Sequence, residues 1–342
     1  MQSVIISSNQ AGQRLDKFLH KFMPEAGNGF LYKMLRKKNI TLNGKKAEGS
    51  EILSLGDTIT FFFSEETYQK FTGLSTEAGE KCSKESISLS EYKNAYDTLH
   101  GIEIIYEDDN ILIANKPTGI LSQKSGRKDV SLNEWLIGYL LSRNPGFQAE
   151  LNTFRPSVCN RLDRNTSGIV LCGKSLAGSQ YLSKCIKERS IAKFYRTVCV
   201  GNLNQDASIK GYLVKDTVRN KVSVFGTPDD FNKQDAIETK YHPIALKNKY
   251  TFLEVELITG KTHQIRAHLA SIGCPLIGDY KYGNRKTNDL LKEKFQLNYQ
   301  LLHAYRVVFP ECRQGIGATL SKKEFCAPYP QEFRKILAEL GF

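Results

Sequence analysis

The chain has 342 residues, 40% hydrophobic and 25% charged, a globular composition with apolar material for more than one core. Lysine and arginine number 48 against 36 acids, and the formal charge of +12 points to a polyanionic partner, nucleic acid before an anionic membrane surface. No apolar run approaches the ~20 residues of a membrane span, the N-terminus lacks a signal-peptide pattern, and the eight cysteines form no Cys-x-x-Cys pair; a cytoplasmic protein with reduced cysteines and no membrane partner is expected.

Residues 12–63 read as one compact module. Leu15, Phe18, Leu19 and Phe22 recur at i, i+3, i+4 and i+7, the apolar stripe of a helix. A second helix is predicted over 30–37, a strand over 40–42, a hairpin turn at Asn43-Gly44 and a last strand over 58–63. Lys33, Arg36, Lys37, Lys38, Lys45 and Lys46 lie within residues 31–46 with no acid among them. On a helix the first three share a face, and with the turn lysines they make a surface suited to phosphates. The alternative is an ordinary exposed face, which seldom carries one sign of charge without interruption. With GQRLDKFL before it and LSLGDTITF after it, the segment resembles the alpha-L RNA-binding module of a small-subunit ribosomal protein and several RNA-modifying enzymes. That resemblance implies binding to structured RNA and leaves the chemistry open.

Residues 64–100 are rich in Ser, Lys and Glu without a sustained period and read as a linker. The expected division is a small α/β RNA-binding domain over 1–63, this linker, and a larger domain over 101–342. From Gly101 the texture is folded again: a strand over 102–106, a turn at Asp108–Asn110 and a return strand over 111–114. Further strands are predicted over 169–172, 194–200, 250–257 and 306–309, and helices over 132–141, 177–188 and 263–272. Strands and helices mixed without strict alternation predict an α+β fold on a mostly antiparallel sheet.

Asp163 lies between Arg161 and Arg164, ahead of Thr166-Ser167-Gly168 and an apolar strand. Guanidinium neighbours favour the charged form of a carboxylate, which suits a nucleophile or electrostatic stabiliser better than a general acid. A surface ion pair fixing a turn is the structural alternative. Far downstream, Ile265, Leu269 and Ile272 form an apolar stripe that leaves Arg266 off it, placed to reach Asp163 from another part of the fold. His263 and His268, five apart, lie about 140° from each other around a helix and do not make a metal face.

Five ordered motifs, NKPTG (115–119), NRLDRNTSG (160–168), AKFYRTVCVG (192–201), TGKTHQIRAH (259–268) and LLHAYRVVF (301–309), resemble the RluA family of pseudouridine synthases. The resemblance spans about residues 101–335. It implies a mixed, mostly antiparallel catalytic domain with a central cleft. It also implies cofactor-free isomerisation of uridine in RNA: the N-glycosidic bond breaks, the uracil turns, and its C5 carbon joins the sugar. By resemblance Asp163 is the nucleophile, whether toward C1′, the base or a ribose proton; Tyr195 lies against the base and handles the C5 proton; Arg266 pairs with the acid. Arg161 is implied to help displace the target nucleotide, an extrusion that costs a few kcal/mol. Asn160, Gln123 and Lys261 depart from the family pattern, so RNA contacts are not carried over to them. The two-part layout resembles members that modify large-subunit ribosomal RNA, with transfer RNA as a second possibility; a monomer is expected. The rival reading is a non-catalytic RNA-binding or ribosome-assembly protein on the same fold.

Overall fold

A computed structural model describes residues 1–7, 9–72, 89–216, 221–226 and 236–342. The N-terminal part holds β1 (Gln2–Ile5), α1 (Leu15–Phe22), α2 (Asn28–Arg36), β2 (Ile40–Leu42), β3 (Lys45–Lys46) and β4 (Thr58–Phe61). Its antiparallel sheet runs β1-β4-β2-β3. The predicted stripe makes this core: Leu15, Phe18 and Leu19 are buried with Ile40, Ile59 and Phe61, and Phe22 stacks on Phe18 and Phe61 at 5.4 and 5.6 Å. Asn43 and Gly44 both take positive φ (51° and 72°), as a two-residue hairpin turn requires. The strand β1 has too little apolar material to be foreseen; pairing with β4 creates it.

The segment read as aperiodic carries α3 (Glu65–Thr72) and α4 (Leu89–Thr98), while 73–88 lies outside the described residues. Tyr92 and Ala95 of α4 are buried against α5 (Leu132–Arg143). Gly138 permits that approach, since a Cβ there would lie 2.2 Å from the Tyr92 carbonyl oxygen.

The remaining elements are β5 (Glu103–Glu107), β6 (Ile111–Lys116), β7 (Ser157–Val158), β8 (Ser167–Gly173), α6 (Leu176–Lys187), β9 (Ala192–Val200), β10 (Ala207–Asp216) and β11 (Lys221–Phe225). They continue with β12 (Ala236–Lys247), β13 (Tyr250–Leu257), α7 (Gln264–Ser271), α8 (Arg285–Phe295), β14 (Leu302–Val308), β15 (Glu324–Cys326) and α9 (Gln331–Leu340). One sheet runs β11-β10-β12-β13-β9-β14-β8-β6-β5, with β15 on β14 and β7 on β8. Among the strands just named only β14 and β8 pair in parallel, so the expected mostly antiparallel α+β architecture is the one found. The unbroken apolar run of β8 follows from two-sided burial: Val170 and Cys172 face α5, while Ile169 and Leu171 face α6. No helix among the described residues is long and apolar enough to cross a membrane.

The parallel junction is tight. Gly168 sits opposite Ala304 with φ 110°, and a Cβ there would lie 2.2 Å from the Ala304 carbonyl oxygen. Next to it, buried His303 accepts from the Ser167 hydroxyl at Nδ1 (2.8 Å) and donates from Nε2 to the Ala327 carbonyl (3.2 Å). Burial pushes both His303 and the buried His268 from 6.5 down to about 4. In the unfolded chain these imidazoles take protons near the ordinary value, so unfolding binds protons and stability is lost as pH falls from 6.5 toward 4. Urea unfolding between pH 7 and 4.5 should show this decline, with a shallower pH slope for His303→Asn; a pH-independent midpoint over that range would contradict it.

Candidate active site

Asp163 lies in the loop between β7 and β8, and polar side chains tie that loop down along its length. Asn160 spans the two strands, accepting from Leu171 N–H (2.7 Å) and donating to the Ile169 carbonyl (3.3 Å). Ser122 Oγ accepts from Leu162 N–H (2.9 Å) and donates to the Leu162 carbonyl (3.0 Å). Thr166 N–H closes a turn on the Asp163 carbonyl at 3.0 Å. From the end of β6, the fully buried Lys116 ammonium donates to the carbonyls of Pro117 (3.0 Å), Ile120 (2.8 Å) and Arg164 (3.1 Å). Burial pushes Lys116 down to about 7 despite the opposing pull of the Asp163 charge.

The apolar side of α7 buries Ile265 and Leu269, which turns Arg266 toward this loop. Arg266 donates from Nε and Nη2 to the two oxygens of Asp279 (2.7 and 3.0 Å) and from Nη1 to Asp163 Oδ2 (2.9 Å). The Asp279 side chain is fully buried, and its Oδ1 also accepts the backbone N–H groups of Lys281 (2.9 Å) and Tyr282 (3.2 Å). The Tyr282 ring lies 5.2 Å from the Arg266 guanidinium carbon. Burial alone would weaken the hold of Arg266 on its proton; hydrogen bonding and charge from Asp279, with Asp163 behind them, outweigh it. A planar fork gripped on one side presents its remaining N–H groups in a fixed direction. Asp163 itself keeps 27% side-chain exposure, and among the described residues its Oδ1 makes no hydrogen bond. His263 Nε2 stands 3.8 Å from Oδ2.

The flanking arginines do not supply the expected embrace. Arg161 and Arg164 are exposed, and among the described residues neither pairs with Asp163. Neighbours in a tight turn diverge, and the cation that holds the acid comes from 103 positions downstream. Tyr195 is 6% exposed on β9, opposite Ala304 on β14, which in turn faces Gly168 on β8. Two strand spacings of about 4.8 Å thus separate Tyr195 from the strand that follows Asp163. Burial first, then the Asp163 charge, pushes the Tyr195 phenol up, so it stays protonated at neutral pH.

Lys33, Arg36, Lys37, Lys38, Lys45 and Lys46 are all exposed, and among the described residues none forms an ion pair. Gln123 and Lys261 are exposed. A groove of about 290 Å³ on the other face of β9 and β13, lined by Phe194, Glu254, Glu256 and His242 among others, lies apart from this network. Sequence reading passed over Asp279, Lys116, Tyr282 and the orientation of His263. The buried lysine within NKPTG and the acid in the GDYKYG stretch were the available signals, since charges without water need partners.

A family model described as RNA pseudouridylate synthase matches residues 110–271, a span that includes Asp163, Tyr195 and Arg266. The ribosomal large subunit pseudouridine synthase C of Rickettsia bellii is 30% identical, covering 94% of this chain and 97% of its own. An uncharacterized RNA pseudouridine synthase of Mycoplasma genitalium is 29% identical over 90% of this chain and 88% of its own. The solved structure of human RNA Pseudouridylate Synthase Domain Containing 4 shares the fold, with TM-score 0.53 and 20% identity over 73% of this chain and 97% of that one. The chain belongs to the RNA pseudouridine synthases of the RluA family and is an isomerase acting on RNA.

Proposed function

We propose that Asp163 is the nucleophile of this pseudouridine synthase and that large-subunit ribosomal RNA is its substrate. The observation that carries the first part is the three-point grip of Arg266, which fixes Asp163 Oδ2, while the partly exposed carboxylate keeps an Oδ1 that makes no hydrogen bond among the described residues. Breaking the glycosidic bond of uridine needs an anion close to the nucleoside, and a carboxylate immobilised by a permanent cation pays no reorganisation cost when it reacts. Tyr195, buried and protonated, lines the site beside it as an apolar wall with one polar tip, suited to lie against a flipped uracil. Arg161 is exposed two residues before the acid, and its cation is the one we assign to fill the space the nucleoside leaves.

Among the described residues the exposed cations of α2 and the β2–β3 hairpin have no acidic partners, and they fit the phosphates of a folded RNA. The names of the bacterial relatives support a ribosomal substrate, and the cytoplasm is where that RNA is found.

Asp163→Asn should abolish pseudouridine formation on unmodified ribosomal RNA while RNA affinity stays within about twofold; measurable turnover by the variant would remove Asp163 from its role. Replacing Lys33, Arg36 and Lys37 together with Gln should flatten the slope of log K against log salt by about 2 to 3; an unchanged slope would take the module off the RNA. Asp279→Asn breaks a buried ion pair, a change that costs about 3 kcal/mol or more. Denaturant unfolding should show that loss, accompanied by slower turnover, whereas wild-type stability and rate would contradict the buttress.

A further inference from the structure

His263 caps α7 in the left-handed region, with φ 55°, an uncommon conformation for a non-glycine residue and one that histidine adopts more readily than most. The side chain is 10% exposed. Its Nδ1 lies 2.9 Å from the Tyr282 hydroxyl, and the two rings meet edge to face at 5.7 Å. The Tyr282 oxygen accepts the backbone N–H of Val222 at 3.0 Å, and we assign its own proton to His263 Nδ1. With Nδ1 accepting, the imidazole proton resides on Nε2, the nitrogen 3.8 Å from Asp163 Oδ2. The contacts form a closed circuit: Asp163 to Arg266, Arg266 to Asp279, Asp279 to Tyr282 N–H, Tyr282 hydroxyl to His263, and His263 back to Asp163.

We propose that His263 is a positioning residue for the isomerisation: its neutral Nε2–H is a second donor aimed at Asp163 Oδ2, so that rotation of the carboxylate is blocked and Oδ1 stays toward the nucleoside. The inference rests on Asp163 being the nucleophile. At 3.8 Å the approach is looser than a formed hydrogen bond, and catalytic contacts of this kind tighten when substrate arrives. The left-handed turn at the helix start brings the imidazole within 3.8 Å of the acid. The groups that face it are Asp163 from the β7–β8 loop, Arg266 from α7, and Asp279, Lys281 and Tyr282 from the segment after α7. Burial, reinforced by Arg266 and Lys281 and opposed by the two carboxylates, holds its titration below the usual histidine range. The imidazole is therefore neutral at pH 7. Acidification places a second proton on Nδ1, where the Tyr282 hydroxyl proton now points, and breaks the circuit.

The test uses the full chain with in vitro transcribed large-subunit ribosomal RNA labelled with tritium at uridine C5, read as tritium release under single-turnover conditions from pH 5 to 8. His263→Asn keeps a residue that tolerates the left-handed backbone but ends short of Asp163. It should lower the single-turnover rate about 10- to 100-fold, the scale of a misplaced reacting group, with RNA affinity within about twofold. His263→Gln reaches the same region with an amide N–H that does not titrate. It should recover about a tenth or more of the wild-type rate and lose the acid limb of the pH profile. Wild-type rates in His263→Asn, or equal losses and an unchanged acid limb in both variants, would overturn the role. The Asp163→Asn chain in the same assay separates the two readings, because its turnover would remove the nucleophile assignment and the inference with it.

Discussion

One guanidinium shared between two carboxylates governs the site. Arg266 is nearly buried, and a lone cation there would cost several kcal/mol of lost hydration. Asp279, with no exposed side-chain area, offsets that charge through a two-pronged contact and is itself held by two backbone N–H groups. With the fork fixed in this way, an Nη1–H is directed at Asp163. The acid therefore takes its place from a rigid, low-dielectric cluster, while its own side chain stays partly in solvent. A fixed donor in a low-dielectric cluster is what preorganised electrostatics requires.

The frame behind the cluster is equally constrained. β8 and β14 meet in parallel at a point where only glycine fits, and His303 and Ser167 satisfy one another in the dry core beside it. Lys116 gathers three carbonyls, one of them from Arg164 in the acid's own loop. These contacts couple β6, β8 and the Asp163 turn, so a disturbance at Gly168 or Lys116 reaches the carboxylate without touching RNA. Tyr195, two strands away, enters through register alone.

Much of this was legible in the residues. The apolar stripe of α1, the Asn43-Gly44 turn and the two-sided burial of β8 follow from periodicity and turn chemistry, because those signals are local. The pairing of Asp163 with Arg266 was visible only as a motif resemblance joined to an off-stripe position in α7. Asp279 was out of reach: an acid in a loop acquires meaning only when folding removes its water and supplies a partner. The strands β10 and β12 were missed for a related reason, since Lys210, Glu238 and Lys240 project to solvent and the pattern lacks apolar contrast. Helix α4 declares itself through Tyr92 and Ala95 only once α5 is there to cover them. The arginines beside Asp163 misled because adjacency in sequence is not contact in a turn.

The most direct measurement is the single-turnover rate of pseudouridine formation by Arg266→Lys on unmodified ribosomal RNA, with the variant's RNA affinity measured alongside. A lysine restores the charge but has no fork with which to grip Asp279 and Asp163 at once. A rate lowered by about 100-fold or more, with binding preserved, is the outcome expected if the shared guanidinium positions the acid. A rate equal to wild type would show that charge alone suffices and that the geometry of Arg266 does not govern the reaction.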